Sequence, residues 1–385
     1  MRYRYSAGEN GKLVKKAIIY TSDEHGINYS DVDSEAVGII KKLKGAGFNS
    51  YIVGGAVRDL ILGKKPKDFD IVSTASPAKI KKVFRNSRII GRRFRLVHVY
   101  FGERIFEVST FRSLKDGNTS NTFGTMDEDV FRRDFTMNAL FYDPEQQIVV
   151  DYVGGIKDIK KRQVKPIIQL SEIFTDDPVR MIRAVKYAAA TGFNLPLNLK
   201  MKIAKQSSLL ASISPSRLTE EILKIIHSEH AAAIVSLLEK MGLYHYLQPN
   251  AASLMRKNPS YRHNYLQSMA ALKGADNSRG QALGALFYDY LKTTSDWKPG
   301  VIENFREIYK DARSFVLPIN PPRYEMEYAV KKFLTSHGIT IKRPPYTPKT
   351  KPAGETAAPK PASTNVRKRR RPRKKINKEQ ISNNE

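Results

Sequence analysis

The chain has 385 residues and a net charge of +28, because 66 lysines and arginines outnumber 38 aspartates and glutamates. An excess of this size predicts a polyanionic partner and favours nucleic acid over an anionic membrane surface. The lack of cysteine excludes disulfides, thiolate metal sites and thiol nucleophiles. The amino-terminal residues lack the apolar core of a signal peptide, and no apolar run approaches the roughly 18 residues of a membrane span. We therefore expect a cytoplasmic protein.

The first half of the chain alternates between helical and strand-like patterns. Helical segments have apolar residues three or four positions apart, whereas strand segments show β-branched runs or simple alternation. The predicted elements are a helix over 34–47, a strand over 50–55, a helix over 56–63, a strand over 67–74, a capped helix over 76–84, strands over 94–101 and 104–111 joined by a tight turn at Gly102, and strands over 137–142 and 148–153.

From about residue 171 the strand-like patterns stop. Helical spacing then predominates, and it is clearest over 177–191, 214–227 and 230–242. Strands followed by helices in this way predict an α+β fold, in which a head with a small mixed β-sheet precedes an all-α body.

The last segment, residues 341–385, differs in composition from the rest. It carries 14 lysines and arginines against 3 glutamates, and eight of the nine residues in RKRRRPRKK (367–375) are basic. Because the segment has few large apolar residues, it cannot bury enough surface to offset its ordering entropy, and we expect a disordered tail. Such a tail either binds RNA phosphates without reading sequence or only improves solubility. The arginines expected to contact RNA are Arg367, Arg369, Arg370 and Arg371.

Two glycines, Gly54 and Gly55, lie between a predicted strand and a predicted helix. A turn of this kind lets a phosphate approach the backbone, where free N–H groups and the helix dipole favour negative charge. Arg58 follows one turn later and could add a bidentate phosphate contact. The segment is not a Walker loop, since no serine or threonine follows the Gly-Lys pair at 63–64.

Asp68 and Asp70 are two positions apart in the second predicted strand. Side chains two apart on a strand share a face, so both carboxylates are expected to point the same way, about 7 Å apart at Cα. A divalent cation would relieve their repulsion, which makes the pair a candidate Mg²⁺ site. The alternatives are a solvated strand end and a nucleotide–metal site of the glycosyltransferase type. Glu107 interrupts another predicted strand and either completes the metal site or pairs with a neighbouring arginine.

Five sequence motifs follow one another in the central part of the chain. They are GGAVRD (54–59), KDFDIVST (67–74), EVSTFR (107–112), RRDFTMNAL (132–140) and DDPVRMIRAVKYAA (176–189). In this order they resemble the motifs of the class II template-independent RNA nucleotidyltransferases, a family that contains CCA-adding enzymes and bacterial poly(A) polymerases. The resemblance covers roughly residues 50–240. Within the family, GRRFRLVHV (91–99) and the basic carboxyl-terminal segment are similar to those of bacterial poly(A) polymerases.

The resemblance implies a domain order and a set of site residues. The implied domains are an N-terminal extension (1–33), a nucleotidyltransferase head (34–165), a helical neck with base recognition (166–235), a helical body that binds RNA (236–340) and the basic tail (341–385). The implied catalytic residues are Asp68, Asp70, Glu107 and Asp134. The implied nucleotide-binding residues are Gly54, Gly55, Arg58, Arg132, Arg133, Asn138, Asp177, Arg180 and Arg183.

Within the fourth motif, Arg132 and Arg133 are candidates for ribose or triphosphate contacts, and Asn138 is a candidate for sugar recognition. From the residues alone, an RRD sequence before an apolar run is equally consistent with Asp134 as the cap of a helix.

Asp177 and Arg180 are the residues of the last motif that are expected to recognise the base. They are three positions apart, so we expect them to lie on one helical face. Aspartate only accepts hydrogen bonds and arginine only donates them. Together they complement an amino group beside a ring nitrogen, an edge that adenine and cytosine present and that guanine and uracil do not. Asp177 can also cap the helix that follows, with Pro178 at its first position. Arg183, one turn further on, is expected to orient Asp177 or to contact phosphate.

The resemblance implies that the chain adds AMP from ATP to RNA 3′ ends and releases pyrophosphate, with two Mg²⁺ ions held by Asp68 and Asp70. The expected acceptors are mRNA and small RNA, and tRNA is a further candidate. The alternatives are a CCA-adding or A-adding enzyme for tRNA and a catalytically silent RNA-binding protein. Three arginines just before the Glu107 strand are expected to contact RNA or the incoming nucleotide; they are Arg92, Arg93 and Arg95.

Overall fold

The computed structural model describes residues 2–7, 13–91, 95–113, 123–272, 279–295 and 305–339. In this part of the chain, strands are confined to the first 151 residues and helices dominate the remainder. The strands are β1 Arg2–Ala7, β2 Leu13–Tyr20, β3 Ser50–Val53, β4 Asp70–Ser73, β5 Ser87–Ile90, β6 Leu96–Phe101, β7 Arg104–Thr110, β8 Leu140–Asp143 and β9 Ile148–Asp151. The α+β fold class is therefore confirmed, and the predicted tail lies outside the described residues.

Six of the described helices belong to the first 160 residues, and twelve follow. The first six are α1 Ser22–His25, α2 Ser34–Gly45, α3 Gly55–Ile61, α4 Pro77–Val83, α5 Met126–Phe131 and α6 Gly155–Lys160. The remainder are α7 Ile173–Asp176, α8 Val179–Thr191, α9 Leu197–Gln206, α10 Pro215–Ile226, α11 Ala231–Lys240, α12 Tyr244–Leu247, α13 Pro249–Lys257, α14 Pro259–Ala270, α15 Arg279–Gly284, α16 Tyr288–Thr293, α17 Phe305–Phe315 and α18 Arg323–Ser336.

All described strands belong to one mixed sheet with the order β1-β2-β9-β8-β3-β4-β7-β6-β5. Among the strand pairs described, β4 and β7 run parallel and the others run antiparallel. In the parallel pair, Ile71 lies opposite Val108. The same register sets Asp70 beside Glu107, at the level where β3 ends with Val53. The crossover from β4 to β7 thus brings two acidic residues from distant parts of the sequence together.

The two faces of the sheet are covered differently. The main core lies on one face, under α2 and α4, and continues through α8, α10 and α11 into the helical body. A smaller core on the other face contains Val53, Val72 and Phe141 and is covered by Met126 and Val130 of α5. Asp70 and Glu107 lie on this second face, which is open to solvent at both positions.

Most predicted elements are confirmed within a few residues, and the differences concern strands. Strands β1, β2 and β5 were not predicted, yet β2 pairs with β9 and β5 pairs with β6, so they extend the sheet. Residues Thr136–Asn138 form a 3₁₀ helix, so the strand predicted over 137–142 begins only at Leu140. The strand predicted over 67–74 begins only at Asp70. The boundaries of the five domains stay a prediction.

Candidate active site

Three strand positions come together at one level of the sheet. Val53 at the end of β3 pairs with Asp70, the first residue of β4, and Asp70 in turn lies beside Glu107 on β7. Directly paired residues on neighbouring strands point to the same face, so both carboxylates lie on the open face. The Gly54–Gly55 turn follows Val53 at once. The turn and two predicted catalytic carboxylates are therefore neighbours.

The Asp70 carboxylate lies in a strongly electronegative setting. The pKa of Asp70 is raised to about 6. Desolvation by the surrounding protein atoms contributes most, the negative charges of Glu107 and Asp68 add to it, and Arg133 opposes the shift. Water still reaches the side chain from the open face. Clustered carboxylates that repel one another fit a divalent cation, because its charge removes the repulsion. The residues present therefore fit Mg²⁺.

The carboxylate set is smaller than a complete metal cage. In the part of the chain that the structure describes, no three histidine, aspartate or glutamate side chains converge on one point. Mg²⁺ commonly takes one or two protein carboxylates and completes its shell with substrate phosphates and water. Asp68 lies in the irregular segment before β4, so the prediction that both aspartates share one strand is wrong. Glu107 lies opposite His98, with Oε1 and Nε2 3.4 Å apart, so the ion pair that the described residues form at Glu107 is with a histidine and not with an arginine.

The Gly54–Gly55 turn requires glycine at its first position. Gly54 has φ 75° and ψ −132°, a backbone region that other residues essentially do not occupy. A Cβ on Gly54 would lie 3.7 Å from Nη1 of Arg133. The turn therefore brings the backbone close to a guanidinium group, as a phosphate cradle would need.

Two predicted nucleotide-binding arginines are held through one asparagine. Arg58 Nη1 donates a 2.8 Å hydrogen bond to Asn138 Oδ1, and Arg133 Nη1 donates a 3.2 Å bond to the Asn138 carbonyl. Arg133 is also fixed by Asp129 Oδ2, which accepts bonds of 3.0 and 2.8 Å from Nε and Nη2. Arg58 is fixed by Asp59 at 2.8 Å. Asn138 thus positions arginines here, and sugar recognition by this residue stays a prediction.

A cavity of about 400 Å³ lies next to these residues, and we call it the arginine cavity. Its wall continues the face of β7 that carries Glu107, because Ser109 is two positions further on. The lining residues are Ser109, Arg112, Asp129, Arg132, Arg133, Asp134, Asp177, Arg180 and Arg183. Six of the predicted nucleotide-binding and catalytic residues are therefore brought together around one space.

The arginine cavity is electropositive. Burial lowers the pKa of Arg112, and the nearby charges of Arg132 and Arg133 lower it further. Burial also lowers the pKa of Arg132. Shifts in this direction mean that the cations are crowded together and poorly solvated, a state that an anion relieves. A triphosphate has the charge and the size to do so.

Asp134 is bound on both carboxylate oxygens. Oδ1 accepts a 2.9 Å bond from Arg180 Nε, and Oδ2 accepts a 2.8 Å bond from Arg183 Nη1. The alternative that Asp134 caps a helix is wrong, because no side-chain cap bond exists at the 3₁₀ helix that follows. What the structure shows for Asp134 is the positioning of two arginines, and its role as a catalytic carboxylate stays a prediction.

Asp177 lines the same cavity but lies before α8 rather than on it. Its backbone is extended, so the prediction that Asp177 and Arg180 share a helical face is wrong. Asp177 Oδ1 accepts a 3.2 Å bond from the Val179 N–H, but Pro178 occupies the N-cap position of α8, so the prediction that Asp177 caps this helix with Pro178 as its first residue is wrong. Arg217 on α10 donates bonds of 2.8 Å to both Asp177 oxygens. Arg180 reaches Asp176 and the Ile173 carbonyl as well as Asp134.

Sequence reasoning missed the residues that hold this arrangement in place. Glu221 is 2% exposed and accepts 2.9 Å bonds from Arg183 and Lys186. Although burial alone would raise the pKa of Glu221, the charges of Lys186 and Arg183 outweigh it and lower the pKa to about 2. The sequence does contain a signal for Glu221, because an acidic residue at a buried position of an amphipathic helix needs a cationic partner.

The predicted RNA-binding arginines are described only in part. Arg95 is exposed just before β6, whereas Arg92 and Arg93 lie outside the described residues. The tail arginines Arg367, Arg369, Arg370 and Arg371 also lie outside them. Within the described residues, none of the helices is both long and apolar enough to span a membrane.

Comparison with known proteins places these features in a family. A family model described as the poly(A) polymerase head domain matches residues 50–165. A second model, described as a probable RNA and SrmB-binding site of polymerase A, matches residues 192–255. Together the two matches include strands β3 to β9, the Gly54–Gly55 turn and helix α10, which carries Arg217 and Glu221.

Individual relatives agree with these matches. Poly(A) polymerase I of Escherichia coli O6:H1 is 39% identical over 267 residues, which are 65% of this chain and 57% of that protein. The CCA-adding enzyme of Geobacillus thermodenitrificans is 36% identical over 242 residues, which are 60% of this chain and 59% of that protein. The chain thus spans less than two thirds of the length of these curated relatives. The crystal structure of the Bacillus stearothermophilus CCA-adding enzyme in complex with CTP aligns with a TM-score of 0.53 at 28% identity, over 78% of this chain and 82% of that one.

Proposed function

We propose, from the premise that this chain belongs to the class II family of template-independent RNA nucleotidyltransferases, that it is a poly(A) polymerase. It would transfer AMP from ATP to RNA 3′ ends and release pyrophosphate. The single observation that carries this proposal is the juxtaposition of the Asp70–Glu107 pair with the arginine cavity, across the Gly54–Gly55 turn. A pair of carboxylates beside a positively charged cavity suits a reaction in which metal ions and a triphosphate meet.

The triphosphate would lie against the backbone of Gly54 and Gly55, with Arg58 and the arginines of the cavity around its oxygens. Arg58 and Arg133 both approach that turn, and Arg133 is held in place by Asp129 and Asn138. Fixed cations of this kind stabilise negative charge without reorganising during the reaction. These residues therefore hold the α-phosphorus in one place and neutralise the charge of the departing pyrophosphate.

The RNA 3′ hydroxyl would attack the α-phosphorus in line. The new bond joins the 3′ oxygen to the α-phosphorus, the bond to the pyrophosphate oxygen breaks, and the hydroxyl proton passes to solvent or to a nearby carboxylate. Asp68 and Asp70 would hold two Mg²⁺ ions, whose charge would lower the pKa of the attacking hydroxyl and stabilise the leaving oxygen. Positioning and charge neutralisation supply most of the rate in such transfers.

Base selection would fall to Asp177, with Arg180 beside it in the cavity. The amino group of adenine donates to an aspartate oxygen, whereas the carbonyl that uracil presents at the same position is repelled. Because Arg217 holds both Asp177 oxygens, the carboxylate is oriented before the nucleotide arrives. Such a pair rejects UTP and GTP, but it accepts CTP as well as ATP.

The second candidate function is therefore CCA addition to tRNA, and the 36% identity to a CCA-adding enzyme favours it. The two are separated by incubating the chain with a generic RNA and with a tRNA that lacks its 3′ end, using ATP alone or ATP with CTP. Long homopolymeric adenylate tails on the generic RNA are the expected result. A stop after CCA on the tRNA, with no tail on the generic RNA, contradicts the poly(A) polymerase assignment.

The same assay tests the third possibility, a catalytically silent RNA-binding protein. No incorporation into either RNA at any ATP and Mg²⁺ concentration would support that function and exclude both enzymes. The cytoplasmic location and the phosphate-binding role of residues 341–385 stay predictions.

A further inference from the structure

A second basic cavity, of about 620 Å³, lies on the far side of the segment that carries Asp134. We call it the lysine cavity, because Lys157, Lys161 and Lys165 lie at its rim and are exposed. It shares no lining residue with the arginine cavity. It is therefore a separate feature of the surface and has no part in the chemistry proposed above.

The lysines are brought together by a sharp turn in the backbone. Lys157 and Lys161 are one helical turn apart at α6 and its end, so they share a face. Arg162 then adopts a positive φ of 51°, and the chain reverses so that Lys165 comes alongside. The Arg162 carbonyl accepts a 2.8 Å bond from the Asn194 N–H, which fixes the reversal. The three charges are held at one place by this fold.

The rim charges are not neutralised within the described part of the chain. None of the three lysines forms an ion pair with a described carboxylate, and the one acid that lines the cavity, Asp158, is buried and accepts a 2.8 Å bond from Thr136. A cluster of exposed cations without acids among them is the electrostatic footprint of a phosphate-bearing partner.

The other lining residues fit the remaining parts of a nucleotide chain. Three amide side chains, those of Gln163, Gln169 and Asn198, can donate to phosphate or ribose oxygens. Ile168 and Leu170, which are partly exposed, add apolar surface of the kind against which a sugar or base packs. Phosphate, hydroxyl and apolar contacts in one open cavity are typical of single-stranded RNA recognition.

The lysine cavity is coupled to the active site by two backbone hydrogen bonds. The Thr136 N–H donates to the Lys165 carbonyl at 3.0 Å, and the Ile167 N–H donates to the Asp134 carbonyl at 3.2 Å. One wall thus separates the two cavities, with Asp134 facing the arginines and Lys165 facing the lysine rim. A strand of RNA held on one side of this wall can present its end on the other.

We propose that the lysine cavity binds the phosphodiester backbone of single-stranded RNA upstream of the 3′ end that enters the arginine cavity. This inference rests on the proposed function for the direction of the RNA. It predicts that the cavity contributes to RNA affinity and leaves the binding of free ATP unchanged.

The test compares two variants that each remove three positive charges. The first is Lys157→Gln/Lys161→Gln/Lys165→Gln. The matched control is Lys41→Gln/Lys81→Gln/Lys82→Gln, whose lysines are also exposed but lie outside the cavity. Fluorescence anisotropy measures the affinity for a long and a short single-stranded RNA that share one 3′ sequence, over a series of salt concentrations, and calorimetry measures ATP binding. Circular dichroism melting checks that both variants are folded.

The cavity variant should bind the long RNA at least about tenfold more weakly than the control does. The magnitude of its slope of log affinity against log salt concentration should fall by about 2, because each of the three lost contacts with a single-strand phosphate contributes about 0.7. The short RNA and ATP should bind both variants equally. Equal affinities of both variants for the long RNA overturn the proposal, and so does a loss confined to ATP. Because binding needs no catalysis, a chain that adds no nucleotides but shows this loss would disprove the proposed function and leave the RNA site in place.

Discussion

Glu221 accepts a 2.9 Å hydrogen bond from Arg183 Nε, and this pair ties α10 to the arginine cavity. The contact spans 38 positions of sequence. Arg183 in turn donates to Asp134. Glu221, which is buried and lies outside the cavity, therefore helps to position both Arg183 and Asp134, which line it. The ion pairs between α8 and α10 therefore determine how the cavity is shaped, and their strength can be measured.

Glu221→Gln should destabilise the fold strongly. The substitution leaves Arg183 and Lys186 with one buried counter-charge fewer, and breaking a buried pair in this way costs about 3–5 kcal/mol. Urea unfolding measures the loss. The control is Glu220→Gln, whose side chain is 63% exposed, and it should change the free energy of unfolding by less than about 0.5 kcal/mol. Equal stability of the two variants would show that the Glu221 network is energetically neutral.

The same residue should make the fold acid-sensitive over a defined range. Since the pKa of Glu221 is lowered from 4.5 to about 2, its stabilising effect is complete above pH 4.5 and is lost as the pH falls towards 2. A shift of this size corresponds to about 3 kcal/mol. The free energy of unfolding of the native chain should therefore fall by about that much more than that of Glu221→Gln between these pH values. Parallel pH profiles would mean that Glu221 titrates normally.

Arg217→Ala should weaken nucleotide selection without unfolding the chain. Arg217 is half exposed, so its loss should change the free energy of unfolding by less than about 1 kcal/mol. Asp177 loses the group that orients it, and we expect the preference for ATP over UTP in single-nucleotide addition to fall about tenfold. Arg256→Ala, an exposed arginine of α13, is the control and should keep the native preference. An unchanged preference in Arg217→Ala would exclude Asp177 as an oriented base contact.

Gly54→Ala should impair ATP binding as well as stability. The φ of 75° and ψ of −132° at Gly54 are costly for alanine, by about 1–3 kcal/mol, and the added Cβ would point towards Arg133. Gly63→Ala provides the control, because Gly63 also has a positive φ, 65°, but no atom lies within 4 Å of its Cβ position. Thermal melting should show destabilisation in both variants. An increase in the KM for ATP should be confined to Gly54→Ala, and equal KM values would argue against a phosphate cradle at this turn.

The sequence predicted the local elements and the order of the motifs better than it predicted contacts. Helix α2 could be predicted because apolar spacing is a local property, and Asp33 caps it as the residue type suggests. Strand β1 was not predicted, because its sequence RYRYSA contains too few apolar residues to indicate a buried face. Asp68 could not be placed by spacing, since where β4 begins depends on its pairing with β3 and β7.

Within the site, the structure brings several predicted residues together, whereas Glu221 and Arg217, which hold Arg183 and Asp177, were not predicted. Asp70 and Glu107 belong to recognisable motifs, yet their proximity depends on the register of a parallel strand pair that follows a crossover. The bonds from Arg217 to Asp177 join positions 40 apart. No local pattern encodes such distances, and only the packing of α8 against α10 produces them.

The measurement that tests the central claim most directly is AMP incorporation into a generic RNA with ATP as the sole nucleotide and Mg²⁺ present. We compare the native chain with Asp70→Asn, and Asp31→Asn, an exposed aspartate outside the cavities, serves as the control. The account predicts long adenylate tails from the native chain and from Asp31→Asn, and a loss of at least about a hundredfold in rate for a folded Asp70→Asn. Full activity in Asp70→Asn would contradict the account.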